Sequence, residues 1–112
     1  VISILVKTTS GTFDLPVEAG GTIEENQSFI IQLKSPIEGK IIVFEEIDGS
    51  PDNSSDSLEK NILFEGRTLS GQTLRLPREG AFTLSGQKSF NLVSEFSNSA
   101  EKMYFRSVYT VK

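Results

Sequence analysis

The chain is predicted to fold as an all-β protein, an antiparallel immunoglobulin-like β-sandwich of about eight or nine short strands. Short stretches in which apolar and polar residues alternate recur along its 112 residues, and turns rich in Gly, Pro, Ser and Asn separate them. No long stretch has the 3.6-residue period of a helix. At this length one hydrophobic core is expected, so residues 1–112 are predicted to form a single β-sandwich domain.

Three strands are predicted in the first third of the chain. Val1–Lys7 and Ser28–Lys34 alternate in hydrophobicity, so each is expected to bury one face. Between them, Thr12–Val17 is a short strand that Pro16 confines to a sheet edge or a strand end, since proline has no N–H for the ladder. The residues expected to face the core from the first and third strands are Ile2, Ile4, Val6, Phe29, Ile31 and Leu33.

A run of four β-branched or aromatic residues, Ile41–Phe44, follows Gly39 and precedes an acidic turn. This pattern is typical of a strand buried on both faces, and we expect it to be the central strand of the domain. The short connection from Ser28–Lys34 predicts that the two strands form a β-hairpin. Glu45 and Glu46 point to opposite faces because strand side chains alternate, so they do not form a catalytic pair.

Five further strands are predicted in the second half of the chain. They are Asn61–Phe64, Thr73–Leu76, Ala81–Leu84, Ser89–Glu95 and Lys102–Val111. Pro77 ends the second of these strands. In the last strand, alternation places Met103, Phe105, Tyr109 and Val111 on one face and Tyr104, Arg106, Val108 and Thr110 on the other.

Composition excludes several classes of chemistry. Lys and Arg number 11 against 15 Asp and Glu, giving a net charge of −4 with no basic cluster, so nucleic acid is not an expected partner. Cys and His are both absent, which removes thiolate nucleophiles, cysteine metal sites and the commonest acid–base group. No apolar run approaches the ~20 residues that a membrane-spanning helix needs. We therefore predict a protein that is not an enzyme, uses no cofactor and has no membrane span in this sequence.

The most polar segment, Asp48–Lys60, is predicted to be a long exposed connection. Its Asp48, Asp52 and Asp56 carboxylates are oxygen donors of the kind that calcium prefers, so they form a candidate metal site. Their spacing does not follow the EF-hand order. The favoured alternative is a solvated loop that keeps a sheet edge soluble.

Two stretches are candidates for contact with a protein partner or a second copy of the chain. Tyr104 and Arg106 point outward from the last strand and belong to residue types enriched at interface hot spots; the alternative is an ordinary terminal strand with its arginine stem lying along the sheet. The first strand is apolar on both faces. It either pairs within its own sheet or completes the sheet of a neighbouring molecule, in which case Ile2 and Ile4 contact the partner.

The order of motifs resembles the bacterial family catalogued as domain of unknown function 4384, over about residues Phe29 to Phe96. The chain departs from that family at Glu65, where the family has proline. The segments that carry the resemblance are Leu33-Lys34-Ser35, Glu38-Gly39-Lys40-Ile41-Ile42-Val43-Phe44, Leu63-Phe64, Gly71-Gln72-Thr73-Leu74-Arg75-Leu76-Pro77, Phe82 and Leu92-Val93-Ser94.

The resemblance implies an accessory β-sandwich without catalytic residues, appended to larger bacterial envelope or signalling proteins. We therefore predict a non-catalytic binding or structural module located in the periplasm, in the cell envelope or outside the cell. The alternatives are a subunit of an extracellular polymer that uses its N-terminal strand for complementation, and a calcium-binding or ligand-binding accessory domain.

Overall fold

The computed structural model of the chain describes residues 2–47 and 59–112, and the all-β class predicted from the sequence is confirmed. Within these ranges no helix could cross a membrane, because every regular element is a strand. The nine strands are β1 (Ile2–Lys7), β2 (Phe13–Val17), β3 (Thr22–Ile23), β4 (Phe29–Lys34), β5 (Gly39–Ile47), β6 (Glu59–Thr68), β7 (Thr73–Leu76), β8 (Ser89–Ser97) and β9 (Lys102–Val111).

The strands form two sheets that pack against each other as a sandwich. One sheet has four strands in the order β2-β1-β4-β7, and the other has five in the order β3-β9-β8-β5-β6. Neighbouring strands are antiparallel except for β3, which runs parallel to β9. β8 lies in the middle of the five-stranded sheet, so β5, expected as the central strand, is instead one position from the edge.

The core consists of the side chains that alternate inward from both sheets. Ile4 and Ile31 from the four-stranded sheet and Ile41, Val43 and Leu92 from the five-stranded sheet are completely buried. Burial of each such aliphatic side chain contributes roughly 1.5–3 kcal/mol relative to leaving it exposed. The aromatic part of the core is a chain of rings, with Phe29 against Phe82 and Phe90, and Phe90 against Tyr109.

The predicted hairpin between β4 and β5 is wrong, because these strands belong to different sheets. The connection instead crosses from one sheet to the other and is held by buried hydroxyl groups. The Ser35 hydroxyl donates to the Ile37 carbonyl at 2.7 Å and lies 2.8 Å from the Thr68 hydroxyl at the end of β6. Gly39 completes the crossing with a φ of 148°, a backbone conformation that favours glycine.

Three further elements differ from the sequence prediction. The two-residue strand β3 was not expected, since two residues carry no detectable period. β6 extends well beyond the predicted Asn61–Phe64 and has an irregularity beside Val43 and Phe44 of β5. Ala81–Leu84 is not a strand, although Phe82 forms a single bridge with Phe29 and thereby ties the β7–β8 connection to β4.

Substitution of Gly39 tests the crossing between the sheets. An added Cβ would collide with the Ser97 carbonyl oxygen and lie 3.0 Å from the Asn98 Cβ. We expect Gly39→Ala to lower the free energy of unfolding by about 3 kcal/mol, measured by urea denaturation. Gly71→Ala is the control: φ there is also positive, at 81°, but nothing lies near the added Cβ, so its cost should be about 1 kcal/mol. Equal costs for both variants would contradict a steric requirement at Gly39.

Tyr109 predicts how stability depends on alkaline pH. Burial raises the pKa of the Tyr109 phenol above its ordinary value of 10.0, and a hydrogen bond with the Ser107 side chain opposes part of this rise. Above about pH 10 the phenol ionises in the unfolded chain while it stays protonated in the folded chain, so the free energy of unfolding falls. Tyr109→Phe should therefore lose less stability than the wild-type chain between about pH 9 and 11, compared by urea denaturation. Parallel declines for the two proteins would show that Tyr109 does not contribute.

Candidate functional site

The candidate site is the surface of the five-stranded sheet that faces away from the core, which we call the outer face. The cross-strand registers place Arg106 of β9 beside Val93 of β8, Val93 beside Phe44 of β5, and Phe44 beside Ile62 of β6. The outer face comprises Ile42, Phe44, Glu46, Lys60, Ile62, Asn91, Val93, Glu95, Tyr104, Arg106 and Val108.

A salt bridge crosses the centre of the outer face. The Arg106 Nη2 donates to the Glu46 Oε1 at 2.8 Å, although β8 lies between their two strands. The arginine and glutamate side chains together therefore span two strand spacings, roughly 9–10 Å. Val93 lies directly beside Arg106 in the register and is only 2% exposed, although no described residue forms a further layer over this face. We infer that the aliphatic stem of Arg106 covers it.

A second cation covers the other buried residue of this face. The Lys60 Nζ lies 4.8 Å from the centre of the Phe44 ring, within the range of a cation–π interaction. Phe44 is only 3% exposed and does not belong to the cluster of core residues between the sheets. On this face, long basic side chains thus shield Val93 and Phe44 from solvent, as a packed layer does in the interior.

Several large apolar side chains of this region are left in solvent. Tyr104 is 64% exposed, and Val108 is exposed on the same face, so both flank Arg106 along β9. Ile62 of β6 is exposed at the far side of the face, and Phe105 of β9 is exposed on the opposite side of the sheet. Tyrosine and arginine are enriched among the residues that dominate binding energy at interfaces.

The backbone of β9 is also open along most of its outer edge. β3 pairs only with Thr110 and Val111, where the Thr110 N–H donates to the Gly21 carbonyl and the Gly20 N–H donates to the Val108 carbonyl. The backbone groups of even-numbered residues therefore point away from β8, since N–H and C=O directions alternate along a strand. By the same alternation, the N–H and C=O groups of Tyr104 and Arg106 point to the open side, and no described residue pairs with them.

The structure separates the four residues predicted to contact a partner. Tyr104 and Arg106 lie together on the outer face, as the alternation of β9 predicted. Ile2 and Ile4 lie in the other sheet, where Ile4 is completely buried and Ile2 packs against the core. β1 pairs with β2 on one edge and β4 on the other, so in this chain it takes the first of the two alternatives, pairing within its own sheet.

The candidate calcium ligands Asp48, Asp52 and Asp56 lie outside the described residues, and the calcium site stays a prediction. Among residues 2–47 and 59–112, no three acidic side chains come close enough together to hold a metal ion.

Sequence reasoning missed Glu46 as the partner of Arg106 and missed the open edge of β9. Alternation indicates that both side chains point outward, but it carries no information on which strands become neighbours. The order β9-β8-β5 brings together residues that are 60 positions apart in the chain, and a local pattern cannot specify such a pairing.

Comparison with protein-family models, with curated proteins and with solved structures finds no match to this chain. The resemblance to the domain of unknown function 4384 family stays a prediction.

Arg106 contributes to stability through its salt bridge and through its cover over Val93, and two substitutions separate these contributions. Arg106→Met keeps an aliphatic stem and removes the charge, so we expect a loss of at most about 1 kcal/mol in the free energy of unfolding, since Arg106 is half exposed. Arg106→Ala also uncovers Val93 and should cost about 1 kcal/mol more. Urea denaturation of both variants makes the comparison. If the methionine variant is as unstable as the alanine variant, the stem does not protect Val93.

Proposed function

We propose that this chain is a non-catalytic module that binds a protein partner by accepting an extended segment of that partner along the open edge of β9. The observation that carries this proposal is the coincidence of two features between Lys102 and Val108. Unpaired backbone donors and acceptors at Tyr104 and Arg106 lie beside large exposed side chains. An added strand would use the backbone groups for affinity and the side chains for specificity.

The other edges of the two sheets are protected in ways that β9 is not. β2 contains Pro16, β7 has four residues and is followed by Pro77, and β3 has two residues. β6 is long, but it carries an irregularity in its pairing and exposed charges at Lys60, Glu65 and Arg67. These are the features by which natural proteins prevent unwanted strand pairing. From Lys102 to Val108, β9 contains no proline and pairs with β8 without an irregularity. Its exposed charges are Lys102 and Arg106, and Arg106 is already paired with Glu46, so this section is suited to a specific partner.

The side chains along β9 indicate what the partner segment should contain. Its alternate residues would lie beside Tyr104 and Val108 on the outer face and beside Phe105 on the other side of the sheet. Apolar or aromatic residues on both sides of the segment would cover these three exposed groups. Arg106 is held by Glu46, so its charge is already paired and it presents a fixed guanidinium rather than a mobile one.

The remaining features of the chain agree with a binding role. A chain without His and Cys lacks the commonest catalytic acid–base and nucleophilic groups. The resemblance noted in the sequence implies a domain appended to larger bacterial envelope or signalling proteins, and in such an assembly the partner would be another component. Donation of β1 to a neighbouring copy has no comparable support, because both edges of β1 are already paired within its own sheet.

The proposal predicts that position 104 contacts the partner. A photoreactive benzoyl-phenylalanine at Tyr104 should crosslink a protein from the source cell that the same group at Leu15 does not. Leu15 is the matched control because it is a similarly exposed apolar residue, at 53%, on the other sheet. With the captured protein purified, Tyr104→Ala should weaken binding at least about tenfold, while Leu15→Ala should not change it.

Hydrogen exchange distinguishes strand addition from contact of the face alone. When the partner is bound, the amides of Tyr104 and Arg106 should become protected, because they would donate to the added strand. The amides of Phe105 and Ser107 already point toward β8 and should change little. Binding that leaves the exchange of Tyr104 and Arg106 unchanged would contradict the proposed function, as would equal capture at positions 104 and 15.

A further inference from the structure

A cleft with a volume of about 380 Å³ opens at one end of the sandwich, between β6 and the connection from β7 to β8. A second cavity of about 370 Å³ adjoins it, and Glu45 and Gln87 line both. The half-buried Phe82 and Leu63 form the accessible apolar wall of the larger cleft, and the buried rings of Phe29 and Phe90 lie behind them. Volumes of this size are typical of small-ligand sites, which combine an apolar lining with a few placed polar groups.

Among the described residues that line the larger cleft, Glu45 is the one with a carboxylate, and it is 7% exposed. It points inward from β5, between Asn61 of β6 and Leu92 of β8. The Gln87 Nε2 donates to the Glu45 Oε2 at 2.8 Å and to the Ser89 carbonyl at 2.9 Å, so both of its N–H groups are used and the carboxylate is held in place.

Glu45 forms no ion pair within the described part of the chain, although Lys88 lines the adjoining cavity. Its Oε1 has no hydrogen-bond partner among the described residues. A buried carboxylate with a single neutral donor is unfavourable unless a cation or further donors reach it. This oxygen belongs to a residue that lines the cleft, so a ligand can supply a partner that the described residues do not.

From this geometry we infer that the cleft binds a primary alkylammonium ion, with Glu45 as its counter-ion and the apolar wall as the site of its alkyl stem. The ammonium group has three N–H donors, one of which Glu45 Oε1 accepts, and the amide oxygen of Asn61 is a second acceptor in the same cleft. The Phe82 ring also attracts a cation through its negative face.

Other ligand classes fit the cleft less well. An anion would meet the negative charge of Glu45, and a neutral apolar ligand would remove water from the carboxylate without replacing it. A divalent metal prefers several oxygen ligands, whereas this cleft offers one carboxylate, and no cluster of three acidic side chains occurs among the described residues. An organic monocation satisfies both the charged end and the apolar wall.

This cleft is separate from the proposed partner-binding edge. Glu45 points to the inner face of the five-stranded sheet, whereas Tyr104 and Arg106 belong to its outer face and to β9. Binding of an alkylammonium ion can therefore be present or absent whether or not a partner strand adds to β9.

The test is a titration of the whole chain with n-butylammonium, followed by the amide signals in ¹H–¹⁵N NMR spectra at constant ionic strength. The amides of Glu45, Asn61 and Gln87 should shift saturably. Two matched probes, n-butanol and pentanoate, have the same butyl stem with no charge or a negative charge, and they should bind at least about tenfold more weakly, which corresponds to about 1.4 kcal/mol. Butanol binding as tightly as butylammonium would overturn the inference, as would the absence of saturable shifts.

A matched pair of variants identifies the counter-ion. Glu45→Gln keeps the shape and can still accept from Gln87, so the loss of charge should weaken butylammonium binding at least about tenfold. Glu65→Gln makes the same change of charge at an exposed position of β6 outside the cleft, paired with Lys40, and should bind like the wild-type chain. Equal affinities for the two variants would overturn the role of Glu45. If Glu45→Gln fails to fold, the charge series of probes on the wild-type chain still decides the question.

The same titration distinguishes the two sources of such an ammonium group. Nα-acetyl-lysine-N-methylamide carries the same butylammonium end on a peptide backbone. Tighter binding of this compound than of n-butylammonium would assign the cleft to a lysine side chain of a polypeptide, and weaker binding would assign it to a free small amine. Failure of both to bind would overturn the inference.

Discussion

β5 is hydrogen-bonded on both edges and shielded on both faces, and the rest of the five-stranded sheet depends on this arrangement. Ile41 and Val43 anchor its inner face in the core, while Phe44 is covered on the outer face by Lys60. Once these side chains fix the strand, alternation sends its two adjacent carboxylates to opposite sides. Glu45 enters the end of the core beside Gln87, and Glu46 reaches Arg106 across β8. One strand thereby places a charged group at each of the two surfaces to which we assign ligands.

The two ends of the sandwich treat buried polar groups differently. At the end where the chain crosses between the sheets, the Ser35 hydroxyl donates to the Ile37 carbonyl and accepts from the Thr68 hydroxyl. These buried polar atoms bond to one another, and their hydrogen bonds stabilise the fold. At the other end Gln87 satisfies one oxygen of Glu45 and leaves the second without a described partner. A buried polar group whose hydrogen bonds are all made within the protein stabilises the fold. A polar group in a cleft that keeps an unused acceptor can form an additional hydrogen bond with a ligand.

Local patterns in the sequence predicted the features that depend on residues close together in the chain. They failed for features that depend on which distant strands become neighbours. Alternation gave the inward face of β1 and β4, the bounds of β9, and the outward direction of Tyr104 and Arg106. The turn residues between β4 and β5 are compatible both with a hairpin and with a crossing between sheets, so the hairpin prediction failed. The open edge of β9 could not be predicted from the sequence. It results from the shortness of β3, which ends after two residues. The cleft could not be predicted from the sequence either, because the Glu45 carboxylate and the Gln87 amide that donates to it are 42 positions apart.

The short strand β3 also sets a length on the edge that it leaves open. Its preceding turn already occupies the Val108 carbonyl through the Gly20 N–H, so an incoming segment cannot pair beyond that residue. From Lys102 to Val108 the free edge measures roughly 20–24 Å at the spacing of an antiparallel strand. The open edge can therefore pair with a segment of about six or seven residues, and a longer segment would have to bend away from the sheet. In the proposed function the partner therefore contributes one short strand to the sheet, and the rest of the partner lies outside it.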